Sequence, residues 1–188
     1  MNNKFLGAIA LIGAPFLFIG YMVEESNKHL SDSWFTGMWG FIYISAWMFS
    51  IVALQKARAT GESRFGRIIL WVVMTTLSIA NISNIYQWVM PDNKPWFFFY
   101  IDLCWPLSNV LMLVVGITVI AAKRLDGWRR FIPLIVGLWL PVAIGSLVIL
   151  GRTPFSLMIG ATYSLIAWAL LAIMVGTTPE RIMVRHRN

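Results

Sequence analysis

Histidine and cysteine are nearly absent from this sequence, which has 2 histidines and 1 cysteine among its 188 residues. Neither His29 nor His186 falls in an apolar stretch, so haem ligation by two histidines inside such a stretch is excluded. A zinc or other transition-metal site is unsupported as well, because those metals mostly take His and Cys ligands. The lone Cys104 cannot form an intrachain disulfide. The sequence therefore predicts no metal and no cofactor.

Charged residues are also scarce. They make up 12% of the chain, whereas soluble domains average about 25%. Hydrophobic residues make up 59%, and the mean hydropathy is +0.72. Such a chain needs lipid as its solvent, so membrane lipids are its predicted surroundings. Six spans of about 20 residues would use roughly 120 residues, which leaves room for short loops and one membrane domain over 1–188.

Motifs for catalysis are missing too. The sequence has no glycine-rich phosphate loop and no lysine inside an apolar stretch that could carry a Schiff base. A serine nucleophile would need a base beside it, and Asp102 is the only acidic residue within an apolar stretch. The sequence thus assigns no catalytic residue.

Six apolar stretches are each long enough to cross about 30 Å of hydrocarbon as a helix rising about 1.5 Å per residue. They are 5–23, 34–54, 68–90, 96–122, 131–150 and 155–175. The first resembles a signal peptide, but no small-residue cleavage site follows before Glu24, so we interpret it as a retained span. The predicted fold class is an all-α integral membrane protein, a six-transmembrane-helix bundle with short loops.

Lysine and arginine are concentrated on one side of these stretches. The opposite side holds only Lys28, Lys94 and Arg152. The first side holds twelve, in both tails and two loops: Lys4, Lys56, Arg58, Arg64, Arg67, Lys123, Arg124, Arg129, Arg130, Arg181, Arg185 and Arg187. Because positive loops stay in the cytoplasm, the N- and C-termini are predicted to be cytoplasmic, with a bacterial cytoplasmic (inner) membrane as the default location. The net charge is +7, but the charged residues flank the spans, so the sequence does not indicate binding to nucleic acid.

The ten tryptophans divide into two groups of five. The first group lies at predicted span ends, where amphipathic rings favour the headgroup level: Trp34, Trp71, Trp88, Trp96 and Trp128. The second group lies deeper, where each buried indole N–H needs a partner: Trp39, Trp47, Trp105, Trp139 and Trp168. The deep group is interpreted either as bulky packing with some lipid-facing rings or as the lining of an aromatic cavity.

The third and fourth stretches form a hairpin with a predicted turn of five residues, Pro91 to Pro95. Folding the chain about Asn93 places Asn84 level with Asp102 and Asn81 level with Trp105. At a rise of about 1.5 Å per residue, Asp102 lies on the order of 9 Å below the outer boundary. A carboxylate at the bilayer centre costs about 2.5–3.5 kcal/mol on insertion scales, and such residues usually serve a function.

Successive residues of a helix are rotated by about 100° around its axis, so Asp102, Trp105 and Asn109 share one helix face. Pro106 cannot donate to the carbonyl of Asp102, which leaves a second acceptor in the same turn. The predicted ligand-binding residues are Asn81, Asn84, Asp102, Trp105 and Asn109. Alternatively, these polar side chains only tie the third and fourth helices together.

The predicted activity is binding or translocation of a small solute, ion, proton or lipid through this polar pocket. A non-catalytic membrane sensor or assembly subunit, which would act with a partner subunit or as a homo-oligomer, is the alternative. An intramembrane enzyme that uses Asp102 is a third hypothesis.

Three further features are weaker. The acidic first outer loop is interpreted as solvated instead of metal-binding: Glu24, Glu25, His29 and Asp32. Gly160 and Ser164 form a small-residue step for close helix approach, either within the chain or between copies. Pro15 and Pro141 are expected to kink the first and fifth spans.

Overall fold

The computed structural model describes residues 2–178, and every regular element in that range is a helix. Four of the residues discussed above, Arg181, Arg185, His186 and Arg187, lie outside the described range. The α-helices are α1 (Asn3–Gly13), α2 (Phe16–Ser26), α3 (Trp34–Lys56), α4 (Arg64–Val89), α5 (Phe98–Asp102), α6 (Cys104–Ala122), α7 (Ile132–Gly137), α8 (Trp139–Leu150) and α9 (Pro154–Thr177). Short 3-10 turns occupy Lys28–Leu30 and Gly127–Phe131.

Five helical segments of the described chain are long and apolar enough to cross a membrane: Asn3–Ser26, Trp34–Lys56, Arg64–Val89, Phe98–Ala122 and Pro154–Thr177. A sixth arises if the bent pair Gly127–Gly137 and Trp139–Leu150 counts as one span, with a bend of 46°. These segments match the six apolar stretches of the sequence. The turn of the central hairpin is longer than the predicted five residues, since α4 ends at Val89 and α5 begins at Phe98.

Each proline inside an apolar stretch lies at or near a break in its helix. α1 and α2 are separated by Ala14 and Pro15. Pro141 lies three residues after the 46° bend at Leu138. Pro106 follows the break between α5 and α6 at Leu103, as expected for a residue that cannot donate to the carbonyl of Asp102.

The spans are arranged in a ring. α1 packs on α3, α3 on α4, α4 on α6 and α6 on α7, while α9 contacts both α8 and α1 and so closes the ring. α3 also reaches α9 across the middle. Glycines permit the closest approach of two helices. A Cβ on Gly116 would lie 2.6 Å from the backbone nitrogen of Leu134, which is too close for any side chain, so the backbones of α6 and α7 are in direct contact here.

Side-chain contacts identify which loops share an end of the bundle. Asn3 donates to the carbonyl of Thr178 at 3.2 Å, and Arg129 donates to the carbonyl of Thr177 at 3.1 Å. The N-terminal end of α1, the 123–131 loop and the C-terminal end of α9 therefore lie together. At the other end, Asp32 accepts hydrogen bonds from Gln87 and Lys94, which ties the α2–α3 loop to the α4–α5 hairpin.

The two groups of tryptophan separate by exposure. All five predicted span-end rings are exposed: Trp34, Trp71, Trp88, Trp96 and Trp128. Of the deep group, Trp39, Trp47, Trp139 and Trp168 are buried, and Trp105 is half-buried. The prediction of two tryptophan environments is confirmed, since every span-end ring is exposed and no ring of the deep group is.

Gly160 and Ser164 are both buried inside the described chain. A Cβ on Gly160 would be in ordinary contact with Cβ of Ala143, at 3.5 Å, and the Gly160 carbonyl accepts a 2.8 Å hydrogen bond from Nε1 of Trp139. The small-residue step therefore packs α9 against α8 within one chain, which is the intramolecular alternative of the two that the sequence left open.

Candidate functional site

A cavity of about 190 Å³ opens between α2, α3, α4 and the junction of α5 and α6. The described residues that line it combine acidic, aromatic and small side chains: Tyr21, Glu24, Thr36, Trp39, Gly40, Tyr43, Ile44, Ala80, Ser83, Asn84, Asp102 and Trp105. No lysine, arginine or histidine is among them. For convenience this space is called the outer cavity.

Glu24 supplies the first carboxylate of the outer cavity. It lies in the last turn of α2, and its Oε1 accepts hydrogen bonds from Trp39 Nε1 at 2.8 Å and Thr36 Oγ1 at 2.6 Å. Among the described residues, Oε2 has no hydrogen-bond partner. One oxygen therefore fixes the carboxylate to α3 while the other is available to a ligand.

Asp102 supplies the second carboxylate. It is the last residue of α5, and Ser83 on α4 donates a 3.1 Å hydrogen bond to its Oδ1. Ser83 is buried, whereas Asp102 keeps an exposed surface, so the carboxylate lies at the rim of the outer cavity. The helix break caused by Pro106 is what places a helix-terminal carboxylate here instead of a side chain in mid-helix.

The inner part of the outer cavity holds a buried hydroxyl without an acceptor. Tyr43 is 1% exposed, and the indole N–H of Trp105 interacts with its hydroxyl oxygen without forming a well-aligned hydrogen bond. Because an indole N–H can only donate, the Tyr43 O–H proton has no acceptor in the described part of the chain. Buried polar groups are nearly always paired, with protein or with water, and each exception calls for an explanation. A bound molecule with an acceptor atom would satisfy the Tyr43 hydroxyl.

Five aromatic rings fill the centre of the bundle, and they are called the central aromatic cluster: Tyr43, Trp47, Trp105, Trp139 and Trp168. Ring centroids are 5.0 Å apart for Trp47 and Trp168, 5.4 Å for Tyr43 and Trp168, and 5.4 Å for Trp105 and Trp139. The rings come from α3, α6, α8 and α9, so they fix the relative positions of four helices. This cluster forms a rigid inner wall for the outer cavity.

Three of the five predicted ligand-binding residues line the outer cavity, namely Asn84, Asp102 and Trp105. The other two do not. Asn81 donates to Ser45 Oγ at 2.9 Å and lines a separate, apolar depression between α3 and α4. Asn109 is fully buried and donates to the carbonyl of Trp105 at 3.0 Å. Asn81 and Asn109 thus make helix-to-helix or local contacts.

The residue that the hairpin symmetry places level with Asp102 is not its hydrogen-bond partner in the structure. Ser83, not Asn84, donates to Asp102, while Asn84 donates to Asn81 at 3.3 Å. One level deeper, Ser108 on α6 donates to Thr76 on α4 at 2.7 Å. The contacts of Ser83 with Asp102 and of Ser108 with Thr76 agree with a nearly symmetric hairpin. The Ser83 hydroxyl reaches Asp102 in place of the Asn84 amide because its short side chain packs between the helices.

The interpretation of the first outer loop as solvated was wrong for Glu24, which belongs to α2 and lines the outer cavity. Asp32 is exposed, as that interpretation requires, and it also accepts hydrogen bonds from Gln87 and Lys94. A metal role is not supported, since no group of three or more His, Cys, Asp or Glu within 2–178 is arranged to hold an ion.

Sequence reasoning missed the contribution of α2 and α3 to the site, although one signal was present. The buried indole of Trp39 requires an acceptor, and Glu24 follows the first apolar stretch directly. Tyr21 and Glu24, three residues apart, share a helix face, and both line the outer cavity. A short first loop would bring that face against the start of α3.

A second depression, of about 250 Å³, adjoins the outer cavity and is called the vestibule. Tyr21 and Glu24 line both spaces. The rest of its lining is partly charged: Met22, Glu25, Lys28, Ser31, Arg152, Pro154 and Leu157. Glu25 and Lys28 form an ion pair with each other. Tyr21 and Glu24 therefore lie at the boundary between a polar vestibule and the more apolar outer cavity.

Comparison of the chain with protein-family models, with curated proteins and with solved structures found no match.

Proposed function

We propose that this chain is a multi-pass integral membrane protein with six spans. The support is the apolar outer surface of its helices, which a soluble protein would not expose. Ile117 in α6 is 62% exposed and Ile149 in α8 is 81% exposed, and many large apolar side chains on the other helices are also exposed. The exposed span-end tryptophans add rings of the kind that favour the lipid–water interface.

The proposed orientation has both termini in the cytoplasm. It is supported by the contacts of Asn3 and Arg129 with the end of α9, which group the basic loop at 123–131 with both chain ends. The opposite end carries the Asp32 contacts and the vestibule. Because basic loops are retained in the cytoplasm, the outer cavity opens toward the other side, and the cytoplasmic membrane of a bacterium is the proposed location.

Within this arrangement, we infer that the protein binds a small solute in the outer cavity. The observation that carries the proposal is the set of unsatisfied groups around one cavity. Glu24 and Asp102 each offer a free carboxylate oxygen, and the buried Tyr43 hydroxyl offers a proton without an acceptor. Polar residues that only tie helices together would use these groups on each other.

A second candidate function is an intramembrane enzyme. Glu24 gives the outer cavity a carboxylate in addition to that of Asp102, and carboxylates are common general acids and bases. The two candidates differ in one observable: an enzyme returns a chemically altered solute, whereas a binding protein or transporter returns the same one. Mass spectrometry of the solute recovered from the protein separates them.

The proposed function is tested by thermal unfolding of the purified protein in lipid nanodiscs during a screen of inorganic cations, organic cations, neutral solutes, anions and lipids. Wild type is compared with Asp102→Asn and with Asp92→Asn, which makes the same change at an exposed loop position. We expect at least one solute class to stabilise wild type and Asp92→Asn, and to stabilise Asp102→Asn much less.

The opposite outcome has a definite meaning. If no solute shifts the unfolding of wild type, and Asp102→Asn is only less stable, Asp102 serves to hold helices together. The solute-binding proposal would then be wrong, and a sensor or an assembly subunit acting with a partner or a second copy would take its place.

A further inference from the structure

We propose that the ligand of the outer cavity is a small organic cation. This inference rests on the proposed solute-binding function and names its substrate class. Three independent properties of the outer cavity support it: the sign of its charge, its aromatic walls and its volume.

The charge of the outer cavity is negative. Glu24 and Asp102 line it, and no basic side chain does. Three cations lie outside this lining: Lys94 pairs with Asp32 and lies 5.2 Å from the ring centroid of Phe98, Lys28 pairs with Glu25, and Arg152 lies in the vestibule. Two carboxylates in a lining that has no basic side chain favour a positively charged ligand and disfavour an anion.

The walls of the outer cavity are aromatic. Tyr21, Trp39, Tyr43 and Trp105 all line it, and the Tyr21 and Trp39 rings meet edge to face with centroids 5.8 Å apart. Aromatic rings attract cations through their electron-rich faces, and cages of such rings recognise ammonium groups. Rings combined with carboxylates also suit a cation that carries apolar groups, because the apolar body packs on the rings while its charge meets the acids.

A metal ion is a poor match for the same space. Hard cations such as Ca²⁺ take about six to eight oxygen ligands at close range. The described chain has no group of three or more acidic, His or Cys residues arranged for an ion. The volume is also too large for an ion: about 190 Å³, whereas a cavity of about 150 Å³ holds a benzene molecule. A molecule of about seven or eight heavy atoms fits this space.

The vestibule indicates the route of entry. Glu24 and Tyr21 line both spaces, so a cation that leaves the vestibule meets a carboxylate at the boundary. Arg152 lies in the vestibule and not in the outer cavity. The charge therefore changes from mixed to negative along the path inward, which selects for positive solutes at the boundary.

The test uses three probes with the same branched body and different charge: choline, its neutral carbon isostere 3,3-dimethylbutan-1-ol, and the anion 3,3-dimethylbutanoate. Binding to wild-type protein in nanodiscs is measured by calorimetry. We expect choline to bind at least ten-fold more tightly than the neutral alcohol, and the anion not to bind. This comparison needs no variant, so it does not depend on the folding of one.

Two nearly isosteric variants then test whether the two carboxylates cause the preference for choline. Glu24→Gln and Asp102→Asn each remove one charge, and each is expected to reduce the preference for choline over the alcohol several-fold. Asp92→Asn, at an exposed position outside the outer cavity, is expected to leave it unchanged.

The outcomes separate this inference from the proposed function. If the alcohol or the anion binds as tightly as choline, the outer cavity binds solutes but the cation class is wrong. If none of the three binds and the wider screen finds a neutral or anionic solute, only the cation class fails. If neither the probes nor the screen gives binding, both proposals fail.

Discussion

Nε1 of Trp39 donates a 2.8 Å hydrogen bond to Oε1 of Glu24 and thereby joins α2 to α3 at the boundary of the outer cavity and the vestibule. The contact orders the carboxylate and satisfies a buried indole at once. Close packing reinforces it, since a Cβ on Gly20 would lie 2.5 Å from the Trp39 ring. The position of the first carboxylate is therefore set by α3 as much as by its own helix.

Trp39→Phe is the direct test of that contact. Removing the indole N–H leaves Glu24 with Thr36 as its donor, and we expect the free energy of unfolding to fall by about 1.5–3 kcal/mol, the range for hydrogen bonds to charged groups. Denaturant titration in detergent micelles measures the change. Trp34→Phe is the matched control, because Trp34 is exposed, and it should shift stability by about 0.5 kcal/mol or less. Equal losses in the two variants would contradict the account.

Gly116 and Gly145 should respond in opposite ways to alanine. A Cβ on Gly116 would lie 2.6 Å from the backbone nitrogen of Leu134, so Gly116→Ala should force α6 and α7 apart and cost about 1–3 kcal/mol. A Cβ on Gly145 meets nothing within 4 Å. Gly145→Ala should therefore be neutral or stabilise α8 by up to about 1 kcal/mol. Thermal unfolding of the two purified variants distinguishes them, and a stable Gly116→Ala protein would show that this close approach is dispensable.

The pKa of the Glu62 carboxyl lies below its usual value of 4.5, because Arg58 donates a 2.7 Å hydrogen bond to it and further arginines lie nearby. A carboxyl whose pKa is lowered by folding stabilises the folded state above its unfolded pKa, and that contribution is lost as the pH falls through its folded pKa. Arg58→Ala should raise the Glu62 pKa toward 4.5, as read by NMR titration of the side-chain carboxyl carbon. Arg129→Ala, which is not among the causes of the shift, should leave it unchanged. A Glu62 pKa unaffected by Arg58→Ala would refute the pairing.

The orientation of the spans can be measured in intact cells. In a Cys104→Ser background, Asn93→Cys and Asp126→Cys place a single thiol at exposed loop positions on opposite ends of the bundle. A maleimide that cannot cross membranes should label Asn93→Cys at once, and Asp126→Cys only after permeabilisation. The reverse pattern would invert the proposed topology, and labelling of both without permeabilisation would contradict six spans.

The sequence allowed much of the fold to be predicted, because each signal was local. Apolar runs of about 20 residues set the helices, and prolines at positions 15, 106 and 141 lie at or near the breaks. Tryptophan position along each run separated exposed rings from buried ones. These features depend on neighbours within one or two turns, so no knowledge of packing was needed.

The site was only half predictable, because it depends on which helices become neighbours. A hairpin joins α4 to α5 and α6, so the approach of Ser83 to Asp102 follows from chain symmetry to within one residue. The approach of Glu24 and Tyr43 to Asp102 follows from the ring order of the spans, which no local pattern encodes. Asn81 and Asn109 were chosen by helix face alone, and neither lines the outer cavity.

The central claim is that an accessible, negatively charged cavity lies between these helices, and the reactivity of one thiol tests it most directly. Asn84→Cys in a Cys104→Ser background places a thiol in the wall of the outer cavity. The thiol is modified either by cationic aminoethyl methanethiosulfonate or by anionic sulfonatoethyl methanethiosulfonate. Each rate is divided by the rate of the same reagent at Asn93→Cys, an exposed loop position, to remove the intrinsic difference between the reagents. We predict a measurable rate with a cation preference of at least ten-fold, and no reaction at Ala167→Cys, which is buried away from the outer cavity. An Asn84→Cys thiol as inert as that at position 167, or one without preference for the cation, would contradict the account.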